Sequence, residues 1–332
     1  MEIILVLLVI ILAWTYDFWN GANDAANSIA TTVSTRALSF RKAIFLAAFF
    51  NLLGAFINTE VAKTIGKGIV MPEIISQSLL IFALIGGIIW VALSTKFGIP
   101  ISVTHSLVGG LIGAAIVSAG ISVLIGSGLI KIAVGMILAP IIGFLLGIIL
   151  ILGFSWLMKI FFSKLSSFKI SQIFRFGQIF SASAVALSHG MNDTQNAMGI
   201  ITISLISGGF LSEFKVPFWV IFGSGLFMAL GTFYASSRVI RTLGRRIYKI
   251  QPIHGFSAEV SSAIIIILQS LAGVPLSTTQ VISSAVIGVG AIERRALVNW
   301  RKVIEILFTW LFTIPGAALI SCFLLFIYKL IF

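Results

Sequence analysis

Cysteine, charge and long polar stretches are all scarce in this chain, and each scarcity removes a class of protein. A single cysteine, Cys322, among 332 residues leaves neither a disulfide framework nor a cysteine-based metal site. Charged residues make up 10% of the chain, against roughly a quarter in a soluble domain. Lys and Arg outnumber Asp and Glu, 22 to 10, which invites a nucleic-acid reading. They stand in short clusters between apolar runs and stripe no helix face, so the charge belongs to membrane topology and lipid surfaces, with no nucleic-acid partner. The longest polar stretch, 159–177, lies near the middle, and there is no low-complexity tract. The opening MEIILVLLVIILAW has Glu2 where a signal peptide carries positive charge, and no small-x-small cleavage site follows. It reads as a retained span.

What remains is apolar. Hydrophobic residues form 59% of the sequence and the mean hydropathy is +1.14. Apolar runs recur at about 3–35, 43–62, 74–96, 100–118, 129–158, 178–206, 216–237, 256–272, 275–292 and 303–329. A soluble core of this size buries one or two such runs, not ten. The pattern predicts an all-α polytopic protein, multi-pass in the cell membrane, with the lipid bilayer as its solvent.

The runs contain an internal repeat. Asn23-Asp24-Ala25-Ala26-Asn27 is echoed by Asn192-Asp193-Thr194-Gln195-Asn196, and Lys63-Thr64-Ile65-Gly66-Lys67 by Arg241-Thr242-Leu243-Gly244-Arg245. GIPISVTHS from Gly98 is echoed by GVPLSTTQV from Gly273. The matches keep their order, and their offsets (192 − 23 = 169, 241 − 63 = 178, 273 − 98 = 175) drift little. Cations at matching loops are biased oppositely. Arg36, Arg41 and Lys42 correspond to Lys215 alone, whereas Lys63 and Lys67 correspond to a cluster of Arg238, Arg241, Arg245, Arg246 and Lys249. Lys159, Lys164, Lys169 and Arg175, and then Arg294, Arg295, Arg301 and Lys302, are further rich clusters. All rich clusters fall inside the cell if 74–96 with 100–118, and 256–272 with 275–292, each form a hairpin that starts and ends on one side. Each half then makes three net crossings. The expectation is two inverted-topology repeats, 1–158 and 178–332, joined by a cytoplasmic linker at 159–177, with both termini extracellular.

A charge at a helix centre in a bilayer costs roughly 2.5–3.5 kcal/mol on insertion scales, so retained ones are functional candidates. Asp17, Asp24, Asp193 and Glu259 are the intramembrane acids. Asp24 and Asp193 occupy the same repeat position, beside Asn20, Asn23 and Asn27 and beside Asn192 and Asn196. A polar clasp between helices would explain the amides; paired carboxylates exceed what a clasp requires. Gly21 and Gly190 open the two motifs and are expected to loosen their helices so that carbonyls turn toward a ligand. Gly-x-Pro at Gly98–Pro100 and Gly273–Pro275 is expected to break a helix and restart another, with proline in the new first turn. The new helices open on hydroxyls, and a helix N-terminus with free N–H groups is an anion site. An anion there requires cations or protons to neutralise Asp24 and Asp193, and oxygen-rich side chains suit a hard cation such as sodium. Asp17 has no counterpart, since Ala186 holds its place. His189 and His254 read as interfacial or hydrogen-bonded structural residues, and Asn51 as either a helix-packing residue or an ion contact.

GANDAANSIATTVSTRALS and ALSHGMNDTQNAMGIIT, followed by GIPISVTHS and GVPLSTTQ, resemble the paired signatures of the inorganic phosphate transporter family over nearly the whole chain. The resemblance implies an inverted-repeat fold, uptake of inorganic phosphate driven by sodium or protons, commonly a homodimer, and no cofactor. It assigns the substrate and ion region to the Asn-Asp motifs and the hairpin hydroxyls. Matched here, the substrate set is Asn23, Asn192, Ser102, Val103, Thr104, Ser277, Thr278 and Thr279. The ion-coupling set is Asp24, Asn20, Asn27, Asp193, Asn196, Gln280 and Glu259, with Asp24 and Asp193 as the candidate cation ligands. This chain departs from many relatives in having Gln280 where they carry histidine and Asn51 where some carry glutamate, which favours sodium over protons. It lacks the long insertion between halves seen in eukaryotic relatives, which fits a compact prokaryotic member. Rival readings are a proton-coupled phosphate symporter, a permease for sulfate or another oxyanion, a channel, and a membrane enzyme acting on phosphate esters. No metal-ligand spacing, Ser-His-Asp arrangement or phosphate-binding glycine loop supports the enzyme.

Overall fold

A computed structural model describes residues 2–331 except 236, 243, 245, 246, 295 and 297. Leu243 of the second repeated motif, and Arg245, Arg246 and Arg295 of the cation clusters, lie outside the described residues. Twelve α-helices run in order among those described: α1 (Glu2–Ser34), α2 (Phe40–Gly54), α3 (Glu60–Lys67), α4 (Gln77–Phe97), α5 (Val103–Ala119), α6 (Gly126–Phe161), α7 (Ser167–Ser207), α8 (Phe218–Phe233), α9 (Ser237–Arg241), α10 (Pro252–Leu271), α11 (Thr278–Arg294) and α12 (Trp300–Ile331). No strand occurs among the described residues beyond an isolated bridge between Val70 and Leu124.

Five of these helices, α1, α4, α6, α10 and α12, are long and apolar enough to cross a membrane. α7 is the longest at 41 residues, yet its composition is more polar because its inner stretch carries the second Asn-Asp motif. Neighbours cover that stretch, and every residue from Ser188 to Leu205 is buried. The bundle is polar inside and oily outside. Asp17, Asn23, Asn192 and Asp193 are no more than 1% exposed, while Leu145 and Trp156 of α6 and Leu319 and Phe323 of α12 face outward. A lipid solvent demands that arrangement.

The helices pair off as α1/α7, α2/α8, α3/α9, α4/α10, α5/α11 and α6/α12, and their packing is reciprocal. α1 packs on α8 as α7 packs on α2, and the α4–α5 hairpin packs on α12 as the α10–α11 hairpin packs on α6. The halves therefore interlock. Between them only 162–166 is outside a helix, so most of the expected 159–177 linker is the end of α6 and the start of α7. The expected run 43–62 is likewise divided, since α2 ends at Gly54 and α3 begins at Glu60.

Two local expectations are corrected. α1 and α7 run unbroken through both motifs, so Gly21 and Gly190 do not loosen their helices. They let helices touch instead. A Cβ at Gly21 would lie 2.1 Å from the Met228 carbonyl oxygen, and one at Gly190 would lie 2.1 Å from that of Asn51. Gly54 and Gly231 make the reverse approach, to the carbonyls of Leu187 and Phe18. The hairpins do break at Gly-x-Pro, but proline is not in the new first turn. α4 and α10 end before left-handed glycines, Gly98 (φ 70) and Gly273 (φ 62). The residue before a proline is pushed toward extended backbone, so 99–102 and 274–277 stay non-helical and Ser102 becomes the N-cap of α5.

Candidate functional site

The polar interior converges where α1 and α7 pack side by side and receive the tips of α5 and α11. Ser102 Oγ accepts from the His105 N–H at 3.2 Å, and Ser277 Oγ accepts from the Gln280 N–H at 3.2 Å. A helix leaves its first N–H groups without intrahelical partners. With the third of each tip capped, those of Val103, Thr104, Thr278 and Thr279 remain, with the positive dipole end behind them. Tyr16 Oη holds the α5 tip to α1 through the Val103 carbonyl at 2.7 Å.

The carboxylates meet the α11 tip. Thr279 Oγ1 donates to Asp24 Oδ1 at 3.0 Å, and Thr278 Oγ1 lies 3.4 Å from Asp24 Oδ2 and 3.2 Å from Asp193 Oδ2. Asp24, Asp193 and His189 each offer an atom within 4.8 Å of the others, and His189 Nε2 is 3.3 Å from Asp193 Oδ2. Asn20 reaches across from α1 with a long 3.5 Å contact to the Asp193 carbonyl.

Three of the four motif asparagines are oriented by a rule of single protons. Asn27 Nδ2 donates to Thr279 Oγ1 at 2.9 Å, and Asn196 Nδ2 donates to Thr104 Oγ1 at 2.9 Å. Asn23 Nδ2 donates to Thr95 Oγ1 at 2.8 Å, and Asn192 Nδ2 donates to Ser270 Oγ at 2.8 Å. A hydroxyl has one proton. Thr279 gives its proton to Asp24, Thr95 to the Val91 carbonyl and Ser270 to the Ile266 carbonyl, so the amide nitrogen must face each of these hydroxyls. The amide oxygens then point elsewhere. Oδ1 of Asn23, Asn27, Asn192 and Asn196 are all buried without a hydrogen-bond partner, as are Asn20 Oδ1, Asp193 Oδ1 and Gln280 Oε1. Buried polar groups are rarely left unpaired. These seven acceptors belong to residues of the two motifs, their flanks and the α11 tip, and an oxygen-rich set of that kind can hold a hard cation.

Most of the residues singled out in the sequence are thus gathered here. Glu259 is not. It sits two turns of α1 beyond Asp24, where Thr31, Thr32 (2.8 Å), Gln178 (3.0 Å) and Ser181 all donate to its carboxylate. Sequence reasoning missed Thr95 and Ser270, whose signal was a hydroxyl at matching places in two apolar helices (270 − 95 = 175). It also underrated His189. Thr232 Oγ1 donates to the Met228 carbonyl, Asn51 Nδ2 donates to Thr232 Oγ1 at 3.0 Å, and Asn51 Oδ1 faces His189 Nδ1 at 2.9 Å. That chain fixes Nδ1–H as the donor and turns Nε2 toward the carboxylates.

A cavity of about 510 Å3 lies on the Thr95 side of the centre, lined by Trp19, Thr95, Lys96, Tyr234 and Arg238. On the opposite side Asn58 donates to the Ser270 carbonyl at 3.3 Å, Gln195 bonds Asn58, and Thr64 Oγ1 donates to the Gly273 carbonyl at 2.7 Å. The first side carries the matching contact, Thr242 Oγ1 donating to the Gly98 carbonyl at 3.1 Å, but a cavity opens beside it.

A multi-pass helical bundle with a buried, acceptor-rich centre reached by helix N-termini is the build of a membrane transporter. The chain belongs to the phosphate transporter family, whose pattern (PHO4: Phosphate transporter family) matches residues 20–321. It is a transporter of that family and not an enzyme. A Rhizobium meliloti protein named "Probable low-affinity inorganic phosphate transporter" is 44% identical over 314 residues, 94% of this chain and 93% of its own. A Bacillus subtilis protein of the same name is 42% identical over 99% of both chains. Among solved structures, one described as "The sodium-dependent phosphate transporter" superposes with a TM-score of 0.88 at 28% identity, covering 99% of this chain and 100% of its own. The expected helical membrane fold and family are borne out.

Proposed function

We propose that the protein imports inorganic phosphate together with sodium ions, by alternating access to the centre between α1, α7 and the two hairpin tips. The observation that carries this reading is the set of orphan oxygens on Asn23, Asn27, Asn192, Asn196 and Asp193, held beside free helix N-termini. Hard oxygen ligands suit sodium. The N–H groups of Val103, Thr104, Thr278 and Thr279 suit an oxyanion. Each charge excludes the other's absence. The anion is repelled by Asp24 and Asp193 until cations sit on them, and the cations lack a full shell until the anion arrives. That mutual requirement couples the two and disfavours a passive channel. The sodium dependence named for the similar solved structure agrees with it.

Phosphate is favoured over sulfate by the same acceptors. Monohydrogen phosphate carries an O–H that an unpaired amide or carboxylate oxygen can accept, whereas sulfate has none at neutral pH. A site built around acceptors rejects an analogue lacking the donor. Lys96 and Arg238 line the approach on the Thr95 side and offer positive charge along the anion's exit. With the cation-rich loops inside, this approach faces the cytoplasm and the termini lie outside. Each net positive charge moved inward then gains roughly 2.3 kcal/mol per 100 mV. The two halves, related by inversion, exchange roles as the Asn58–Gln195 closure opens and its counterpart near Lys96 closes.

Uptake and counterflow in proteoliposomes with phosphate, sulfate and arsenate, under separate sodium and pH gradients, tests substrate and coupling together. Phosphate uptake should rise with an inward sodium gradient. Uptake that follows pH alone would remove sodium, and equal transport of sulfate would remove the donor argument.

A further inference from the structure

Asp17 takes no part in the centre described above. It lies seven residues before Asp24 on α1, about 10 Å along the axis, on the seam between α1 and α8. Its side chain is 0% exposed, and neither carboxylate oxygen has a hydrogen-bond partner. Ser224 of α8 faces it, and the Ser224 hydroxyl is buried and unpartnered too. Asn20, one turn further along α1 and so beside Asp17 on the helix surface, adds a fourth orphan oxygen. Trp14, one turn back, has its indole stacked on Phe227 with ring centroids 5.2 Å apart and pressed on Gly223, and it gives Asp17 no proton.

The twin seam shows that the packing does not need these groups. Gly54 and Gly231 are equivalent (231 − 54 = 177), so Ser224 corresponds to Ala47, and Asp17 corresponds to Ala186 (186 − 17 = 169). Ala47 and Ala186 are both buried in one apolar cluster on the α2–α7 seam. A carboxylate that faces no more than one hydroxyl in a bilayer interior must be neutralised. Two carboxylate oxygens, a hydroxyl and an amide oxygen form an all-oxygen set whose one donor, the Ser224 hydroxyl, can turn its proton away and offer a lone pair.

We propose that Asp17, Ser224 and Asn20 form a separate site for a monovalent hard cation, sodium, on the side of the centre opposite Glu259. It rests on the sodium reading above. An ion held there is one step from the orphan oxygen of Asn20, which also borders the centre, so the site loads the central carboxylates from the side away from Lys96 and Arg238.

Equilibrium binding of radioactive sodium to the purified full-length protein decides this, with uptake measured in parallel. The wild type must bind sodium; if it binds none, the coupling reading itself fails and this site with it. Given binding, Asp17→Asn should lower the sodium bound per chain by one and raise the sodium needed for half-maximal uptake at least about tenfold, as charge count governs cation affinity. Phosphate counterflow at saturating sodium should persist. Ser224→Ala should weaken sodium binding without lowering the count, which serves as the readout should Asp17→Asn not yield folded protein. Unchanged sodium count and affinity in folded Asp17→Asn, or unchanged affinity in Ser224→Ala, would overturn the site. So would loss of pH dependence in Asp17→Asn with sodium binding intact, since Asp17 would then carry a proton.

Discussion

The two halves agree at the centre and part company two turns away from it. Asn23 on Thr95 is matched by Asn192 on Ser270, and Asn27 on Thr279 by Asn196 on Thr104. Around Glu259 the partners are Thr31, Thr32, Gln178 and Ser181. The same offsets carry these five positions to Leu84, Ile200, Ile201, Val9 and Leu12, which pack together in an apolar cluster. On the proposed alternating access, a site reached from both sides needs like ligands from both halves, which accounts for the first agreement. The flanks are visited from one side each, and there a carboxylate on one arm has only a hydrocarbon opposite. The fold tolerates either content, so the polar flank is a choice about ions or about rigidity, not a condition of folding.

The largest effect should come from the matched carboxylates. Asp24→Asn and Asp193→Asn should each lower phosphate uptake at least about a hundredfold, because a buried cation loses its counter-charge. Membrane expression should be unchanged. Radiolabelled uptake in proteoliposomes, normalised to protein, measures both. If either variant transports at near the wild-type rate, the halves do not share one site.

Next come the glycine contacts. Gly21→Ala and Gly190→Ala each put a methyl group 2.1 Å from a carbonyl oxygen on a neighbouring helix, where backbone must move. Overpacking of this kind typically costs about 1–3 kcal/mol. Thermal unfolding in detergent should show a similar loss for both. A variant that melts with the wild type would separate the two seams and break the equivalence of α1–α8 with α7–α2.

Much of this was legible before any coordinates, and the exceptions have physical causes. The repeats, the Gly-x-Pro breaks and both Asn-Asp motifs were visible because each puts an unusual residue type into an apolar run. Gly21 and Gly190 were visible but misjudged, since a glycine that frees the backbone and one that admits a neighbour look alike in sequence; the Met228 and Asn51 carbonyls decide between them. Pro140 and Pro315, inside α6 and α12, are a further echo at 315 − 140 = 175 that went unused. Glu259 was read as part of the ion set because acids in membranes are costly. The four donors that satisfy it come from α1 and α7, far away in sequence, and only packing reveals them. Asp17 shows the reverse: it has no twin in the sequence, and the structure leaves it facing the Ser224 hydroxyl alone.

The flanks can be made alike, which gives a smaller effect with a definite sign. Glu259→Leu alone should destabilise the protein by about 1–3 kcal/mol, because it strands buried hydroxyls and the Gln178 amide without an acceptor. Adding Thr32→Ile and Gln178→Val, the residues found at the matching places in the other half, should restore part of that loss. Buried partners removed together cost less than one removed alone. Thermal unfolding of the single and triple variants supplies the comparison. A triple variant less stable than the single one would mean that the polar flank is required for packing after all.

The smallest effect concerns Thr95 and Ser270, and it tests the rule that orients the asparagines. Each hydroxyl sends its proton to its own helix, to Val91 or to Ile266, and offers only a lone pair to Asn23 or Asn192. Serine and threonine do this equally well, so exchanging them as Thr95→Ser and Ser270→Thr should leave phosphate uptake within about twofold and stability within about 0.5 kcal/mol, as for substitutions that keep every partner. Thr95→Val keeps the shape but removes the acceptor. It should cost about 1–3 kcal/mol for the stranded amide nitrogen, and the Asn23 amide becomes free to turn its oxygen away from the centre. Sodium affinity should therefore weaken in Thr95→Val and hold in the exchanged pair. If valine at 95 left sodium affinity at its wild-type value, the orphan oxygen of Asn23 would not be a ligand, and the matched architecture of the two halves would reduce to a polar clasp.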